Sequence, residues 1–524
     1  MCDIEDLVET SATTPRSPLK EFNIRVRTKR KEMGESDANQ EEEKPVIQSD
    51  LPWSKTVFLK TWGCSHNGSD SEYMGGLLMA AGFKVSSDKD NSDIWLLNSC
   101  TVKTPSEVQL ENMVKEAHKL GKCVVVAGCV SQAAPNESYL KSVSIVGVKQ
   151  IDQIVNVVEE TLKGNTVRLL SLRSKTTPVL SLPKMRRNKF IEILAINSGC
   201  LNNCTYCKTK MARGNLQSYP LENLVEQART AFEVDGCKEL WLTSEDLGAW
   251  GRDIGLVLPD LLKELVKVIP ADCMMRLGMT NPPYILDHLE EIAEILNHPR
   301  VYSFLHIPVQ AGSNAVLDDM KREYTNEHFC QVVDFMKKSV PDIYIATDFI
   351  CAFPTETPED FEESLALVGK YEFPSLFINQ FFPRPGTPAA RLKKIDGSEA
   401  KRRTNAMTEL FHSYRRYKPD RIGKVYDVLI CEVATDGKNF VGHNKCYEHI
   451  LVPKIGEDLL GRWAKVRITE VAKFYMKSEI VEMETMVQTD QKEKRKRNEL
   501  GLAGPISIVA LLGYLLIRFL ISFY

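Results

Sequence analysis

The stretch INSGCLNNCTYCKTKMARG, Ile196–Gly214, places Cys200, Cys204 and Cys207 within eight residues, between an apolar run and a basic one. A closed structural zinc site takes four ligands, commonly as two pairs, and no fourth Cys or His stands nearby to complete a tetrahedron. A buried structural cysteine is normally isolated, which argues against chance clustering even in a chain with 14 cysteines. Three thiolates on an iron-sulfur cube leave one iron free to bind substrate or cofactor, unlike the four-cysteine ligation of an electron carrier. The loop reads as a metal site with an open position, where chemistry can occur.

A chain of 524 residues, 43% hydrophobic and 26% charged, has room for about three domains with ample cores. A formal net charge of -3 gives no global nucleic-acid signature, so any RNA surface must be a local patch. The polar start MCDIEDLVETSATTPRSPLK is not a secretory signal, and so many cysteines without one point to a reducing compartment, where thiols serve metals. Residues 1–54 are polar and acidic, with too little apolar surface to offset the entropy of ordering, and read as a disordered arm.

Residues 55–165 alternate short apolar runs (KTVFLKTWGC, DIWLLNSC, CVVVAGC) with helical patterns (DSEYMGGLLMAAGF, PSEVQLENMVKEAHKLG), and Leu110, Met113, Val114 and Ala117 share one helical face. Such alternation implies a parallel α/β sheet whose strands all present their C-terminal ends at one edge, where ligands bind. Each of the three strands ends in a cysteine, Cys64, Cys100 or Cys129, next to Gly or a polar residue. Three small core residues have no reason to fall at three strand ends, so the pattern favours a second metal cluster with an open iron. Cys2 and Cys123 match no such position.

Residues 186–417 repeat the alternation through six strand-helix units, from FIEILAI to LFINQFFP, with Ile285, Leu289, Ile292 and Leu296 forming the stripe of a helix packed on a sheet. Periodicity allows either an open doubly wound sheet or a partial barrel. Residues 418–483 lose the helical period and show short alternating runs, expected to form a small antiparallel β domain. After a charged linker, 484–502, the nearly wholly apolar segment 503–524 has about the length that spans a bilayer. Lys492, Lys494, Arg495, Lys496 and Arg497 precede it and would remain cytosolic, and Arg518 near the far end can snorkel to headgroups. The expectation is a tail anchor with the folded domains in the cytosol.

The Cys-x3-Cys-x2-Cys spacing resembles the signature loop of radical SAM enzymes. NSGCLNNCTYCKTKMARGNLQSYP and LTSEDLGAWGRDIG together resemble the eukaryotic and archaeal threonylcarbamoyladenosine tRNA methylthiotransferases, over about residues 55–481. That resemblance implies a partial (β/α)6 barrel for 186–417, a TRAM-like RNA-binding β-barrel for 418–483, and two 4Fe-4S clusters, one on Cys200, Cys204 and Cys207 and an auxiliary one on Cys64, Cys100 and Cys129. It also implies S-adenosylmethionine as cofactor, threonylcarbamoyladenosine tRNA as substrate, electron and sulfur donors as partners, and the endoplasmic reticulum as the anchored membrane. The implied reaction makes a radical at the Cys200 site, abstracts hydrogen from C2 of adenine and inserts a methylated sulfur there. By the same resemblance Tyr206 packs on the adenine of SAM and Glu245 or Asp246 holds its ammonium. Gln310, Asp348 and Pro354 end later strands at the same mouth.

Lys208, Lys210 and Arg213 follow the loop, and the segment from Arg384 to Lys424 carries twelve Lys or Arg against four acidic residues, with Tyr414 and Tyr417 interleaved. Lys393, Lys394, Arg402, Arg403, Arg415 and Arg416 belong to this candidate RNA track. The sequence departs from the family pattern at Ala352 and Thr355, commonly glycine, and at Met211, commonly histidine. Two other readings stand beside this one: a methylthiotransferase acting on isopentenyladenosine tRNA, and a non-catalytic membrane-tethered RNA-binding metalloprotein.

Overall fold

The computed structural model describes residues 55–101, 104–171, 180–455 and 458–483. The expected N-terminal arm, charged linker and membrane anchor lie outside these residues, and among the described residues no helix is long and apolar enough to cross a membrane.

The first domain contains β1 (Thr56–Thr61), α1 (Ser65–Ala80), β2 (Lys84–Ser86), β3 (Ile94–Ser99), α2 (Thr104–Lys119), β4 (Cys123–Gly128), α3 (Cys129–Ala133), β5 (Ser144–Val146), α4 (Ile154–Leu162) and β6 (Arg168–Leu169). The six strands are parallel in the order β2-β1-β3-β4-β5-β6. Period-two alternation sends Val57, Ile94, Leu96 and Val125 to the face covered by α1 and α4. Phe58, Trp95, Leu97, Val124 and Val126 go to the face covered by α2, so both faces are apolar, as a helix-covered parallel sheet requires. The strand order reverses between β1 and β3, and the crevice at such a switch point is where doubly wound sheets bind ligands.

The second domain runs through β7 (Ile191–Ala195), β8 (Asn197–Ser198), α5 (Thr209–Arg213), β9 (Gln217–Ser218), α6 (Leu221–Glu233), β10 (Glu239–Thr243), α7 (Leu258–Val268), β11 (Met274–Arg276), α8 (Leu289–Asn297), β12 (Phe304–His306), α9 (Asn314–Asp319), α10 (Asn326–Ser339), β13 (Tyr344–Cys351), α11 (Pro358–Tyr371), β14 (Ser375–Gln380) and α12 (Gly397–Ser413). Parallel sheets β7-β10-β11 and β12-β13-β14 are joined by parallel bridges between Met275 and Val301 and between Met279 and His306. Strands therefore neighbour one another in chain order without a reversal, which makes this a partial barrel and not an open doubly wound sheet. Local chemistry sets the helix starts: Thr357 accepts from the Asp360 amide with Pro358 in the first turn of α11, and Asp396 accepts from the Ser398 amide at the start of α12. α8 begins only at Leu289, later than the apolar stripe suggests, yet Ile285 is buried with the rest.

The open edge of β7 is covered by the first domain. Ser69 of α1 and the Lys184 ammonium both donate to the Ile193 carbonyl, at 3.1 and 2.6 Å, which blunts an edge strand that would otherwise present unpaired groups. Lys184 also pairs with Glu192 at 2.8 Å and Glu72 at 3.6 Å, all three buried.

The last strands, β15 (Val425–Val433), β16 (Asn439–His443), β17 (His449–Pro453), β18 (Arg462–Val471) and β19 (Met476–Met483), close into the expected small barrel. Its β16-β17 turn enters the N-terminal end of the partial barrel. His443 stacks on Tyr447 at 4.1 Å, and Tyr447 packs on Tyr302 and Phe304. The Arg276 guanidinium lies over Trp241, Phe304 and Tyr447. The bottom of the barrel is thereby plugged, and the opposite, C-terminal end is left for chemistry.

Two stability outcomes follow from this packing. Ala352 sits at φ +60, held by its amide donating to Glu356, whose carboxylate accepts from Arg403. Left-handed backbone strains a residue with a Cβ, so Ala352→Gly is expected to raise the thermal midpoint, with a net gain of up to about 1 kcal/mol after glycine's entropy cost. Burial pushes the Glu72 carboxyl from 4.5 up to about 7, against the opposing pull of Lys184. Its contribution to stability is complete below pH 4.5 and lost as pH rises through 7. Melts at pH 5 and pH 8 should show Glu72→Gln gaining on the parent at the higher pH.

Candidate active site between two domains

The three-cysteine loop follows β7 and is pinched at its base by the β8-β9 ribbon. The Cys200 amide donates to the Gly214 carbonyl at 3.1 Å, and Gly199 holds φ +84 where an added Cβ would lie 2.1 Å from the Asn215 carbonyl oxygen. From the barrel side, the Thr205 amide donates to Met320, the Ala389 amide to Thr205, and Arg384 to the Tyr206 carbonyl. Tyr206 is buried in the barrel core. Burial pushes the Cys200 and Cys204 thiols upward. At Cys204 the Arg322 guanidinium, 3.0 Å from Sγ, pulls the other way.

The second triad forms at the switch point of the first sheet. Cys64 caps α1 just after β1, Cys100 follows β3, and Cys129 opens α3 directly after β4. Gly63 at φ +104 and Gly128 at φ +88 permit these turns; a Cβ on Gly63 would fall 2.8 Å from the Cys100 sulfur, and one on Gly128 2.2 Å from Asn98 Oδ1. Asn67, one turn after Cys64, donates to the Trp62 and Ser99 carbonyls, both at 2.9 Å, and accepts from the Cys129 thiol at 3.6 Å, tying the three strand ends together. Burial pushes Cys64 up to about 12 and Cys129 well above its usual range, with the Cys100 thiol adding to both and Arg213 opposing.

Soft donors, left-handed glycines and close backbone approach suit both loops to a thiolate-held cluster. Among the described residues no group of three or more His, Cys, Asp or Glu already stands in metal-holding geometry. A cluster held at either loop would displace the thiol protons.

Arg213 links the two loops. Its guanidinium, only 2% exposed, donates to Asn67 Oδ1 at 2.7 Å and Asp70 Oδ2 at 2.6 Å, and its Nε lies 3.1 Å from Glu245 Oε1. Glu245 also meets His66 Nδ1 at 2.8 Å, and Ser65 and Thr243 share a 2.8 Å hydrogen bond across the same joint.

The structure separates the two acidic residues that the sequence left equivalent. Both Asp246 oxygens are taken by Asn281, through its amide at 3.1 Å and its side chain at 2.6 Å, while burial pushes the carboxyl up to about 6. Against the pull of burial, His66 and Arg213 hold the Glu245 carboxyl below the usual range, and its Oε2 is buried without a hydrogen-bond partner. Gln310 is buried at φ +74, with its backbone bonded to Asp348 and Ile350. Asp348 itself meets His306 Nε2 at 2.5 Å, and Pro354 is half-buried.

The expected RNA track is corrected in part. Arg213 and Lys208 are buried, so they do not offer phosphate contacts. Arg403 is buried against Glu356 and Glu399, Arg416 is paired with Glu448 at 2.6 Å, and Tyr414 and Tyr417 belong to apolar cores and cannot stack on bases. Arg391, Lys393, Lys394, Lys401, Arg402 and Arg415 remain exposed. Sequence reasoning missed Asn67, Asp70, Asn281 and Arg322; Asn67 stands three residues after Cys64, one helical turn on, and Asp70 three residues beyond Asn67.

A partial barrel with three cysteines directly after its first strand defines a radical SAM protein, and residues 194–368 match the Radical SAM superfamily. Residues 56–147 match the Uncharacterized protein family UPF0004 and 419–481 the TRAM domain. The chain belongs to the threonylcarbamoyladenosine tRNA methylthiotransferases. It is 52% identical to that of Drosophila pseudoobscura pseudoobscura over 99% of this chain and 98% of the relative. With that of Caenorhabditis elegans it shares 69% identity over 70% of this chain and 85% of the relative, and with that of Homo sapiens 51% over 91% and 83%. Superfamily membership implies a 4Fe-4S cluster and SAM.

Arg322→Met should slow iodoacetamide alkylation of Cys204 in metal-free protein at pH 8, relative to Cys207, because the charge that favours its thiolate is gone. Peptide mass spectrometry reads the ratio; an unchanged ratio would show that burial alone governs this thiol.

Proposed function

We propose that this chain methylthiolates C2 of N6-threonylcarbamoyladenosine in tRNA, at the adenosine 3′ of the anticodon, using one 4Fe-4S cluster on Cys200, Cys204 and Cys207 and a second on Cys64, Cys100 and Cys129. The observation that carries the two-site reading is the joint itself: two triads on the C-terminal edges of two different sheets, with Arg213 touching elements of both. The near full-length likeness to enzymes named for this reaction supports the substrate. When bound, the clusters and SAM supply the electron, the radical, the methyl group and the sulfur.

The chain's own residues bind, orient and exclude. Glu245 Oε2 is the acceptor left for the ammonium of SAM, while Asp246, Asn281 and Arg322 frame the Cys200 loop. Gln310 and Asp348 are assigned as contacts at the mouth, with Asp348 held by His306, and Tyr206, in the core behind the cysteine loop, is assigned to the SAM side. The plug of His443, Tyr447 and Arg276 keeps water from entering beneath. Exposed basic residues from Arg391 to Arg415 flank the route from mouth to TRAM domain and suit the phosphates of tRNA. Electron and sulfur donors are further partners, and the apolar tail 503–524 is proposed as an anchor in the endoplasmic reticulum membrane.

Anaerobically reconstituted protein should hold about eight irons, and about four after Cys200→Ala/Cys204→Ala/Cys207→Ala or after Cys64→Ala/Cys100→Ala/Cys129→Ala. Turnover with threonylcarbamoyladenosine tRNA should yield the 2-methylthio nucleoside by mass spectrometry and be lost in both variants. Turnover on isopentenyladenosine tRNA alone would move the substrate; zinc without turnover would favour an RNA-binding metalloprotein.

A further inference from the structure

Arg213 is a charge that the reaction as described does not use, and its partners set it apart from the nearby Lys210. Lys210, three residues earlier, is half-buried and its ammonium donates to the Leu201 carbonyl within its own loop. Arg213 instead crosses the domain joint and is enclosed by Asn67 and Asp70 of α1 and by Glu245 after β10. Asp70 heads the groups that hold its charge against burial, followed by Cys129, Glu245 and Cys64. A guanidinium always carries its charge in a protein, so this position holds one fixed positive charge facing the second triad from the radical side.

We infer that Arg213 is a positioning residue for the auxiliary site, with two linked effects: it fixes the auxiliary triad against the radical loop, and its charge raises the reduction potential of a cluster bound at Cys64, Cys100 and Cys129. The physical reason is elementary. A reduced cluster carries one more negative charge than an oxidised one, and a nearby positive charge in a water-poor environment favours the reduced form. Asn67 transmits the positional part, because the side chain whose oxygen accepts from Arg213 also ties the ends of β1 and β3 through its amide group. Asp70 works against the electrostatic part. It supplies the nearest negative charge to Arg213, so the two side chains tune the same site in opposite directions.

The inference rests on the two-cluster reading, and the experiment separates the two. The Cys200→Ala/Cys204→Ala/Cys207→Ala protein, reconstituted anaerobically, isolates the auxiliary cluster. Its iron content tests the reading; no iron there removes the reading and the inference with it. With about four irons present, the midpoint potential is measured by dithionite titration with mediators, followed by electron paramagnetic resonance. Arg213→Gln should move the potential to more negative values, Asp70→Asn to more positive values, and Arg213→Lys should keep most of the parent value. A purely structural role does not give shifts of opposite sign with rescue by lysine. Unchanged potentials, or shifts of the same sign for Arg213→Gln and Asp70→Asn, overturn the inference. Arg213→Gln leaves Asp70 buried without its counter-charge and Glu245 with His66 alone, so if it does not fold, Arg213→Gln/Asp70→Asn is compared with Asp70→Asn alone, and a potential no more negative in the double variant overturns the inference. In metal-free full-length protein, Arg213→Lys should also speed amide hydrogen exchange in the first turns of α1, where the lost fork no longer holds Asn67 and Asp70; unchanged exchange would remove the positional half.

Discussion

A guanidinium cannot be stripped of water unless acceptors meet it on several sides, and Arg213 is nearly inaccessible to solvent. The acceptors come from two domains, and that requirement dictates much of the remaining arrangement. α1 must begin directly after Cys64 for Asn67 and Asp70 to stand at the joint, and β10 must end where Glu245 can reach it. The same α1 covers the open edge of β7 through Ser69, while Lys184, Glu72 and Glu192 form a second buried charge group further along the interface. Removing one partner of a buried pair costs several kcal/mol, so the two domains are bound by groups that lose heavily on separation. A joint of this kind gives the two thiol triads a fixed relation that a flexible linker would not.

Both sheets obey one rule of parallel architecture, that reactive groups collect at the strands' C-terminal edge, and the two edges are turned toward each other. The other end of the barrel is occupied by Tyr447 and His443 beneath Arg276. With five to eight residues in β7, β10, β13 and β14 and a rise of about 3.3 Å per residue, the TRAM domain stands roughly 17–26 Å from the cysteine loop. The packed core between the two ends leaves the outside of the barrel as the path from one to the other.

The placement of Cys64, Cys100 and Cys129 was legible because strand ends are marked by a change of period followed by Gly or polar residues, and chain topology alone carries those ends to one edge, whereas Cys200, Cys204 and Cys207 were legible from their spacing. The choice between an open sheet and a barrel was not, since both bury a strand in the same way; only the register, with β11 bridged to β12, distinguishes them. Charge was the least informative signal. Arg213, Arg403 and Arg416 look like Lys393 or Arg415 in sequence, but each has a carboxylate partner remote in the chain or in the next helical turn. Tyr414 and Tyr417 interleave basic residues as stacking aromatics would, yet the stretch around them forms α12 and its exit, whose buried Ala400, Arg403, Met407 and Phe411 repeat at three- and four-residue steps. That periodicity, and Asp396 as its cap, were there to be read beneath the charges.

Glu245 and Asp246 show why adjacency in sequence is a poor guide to role. Successive residues after a strand point in different directions, so one carboxylate faces Asn281 and the other faces the domain joint. Asp246 spends both oxygens on Asn281, with the Gly248 amide and the Arg322 charge beside them, and holds a turn. Glu245 uses one oxygen for Arg213 and His66 and leaves the other buried and unbonded. A buried acceptor without a donor costs about 1–3 kcal/mol, more when charged, and that cost is recovered when a donor arrives. An ammonium group supplies such a donor together with the opposite charge, so the same strain that the free protein sustains becomes affinity for a ligand bearing one.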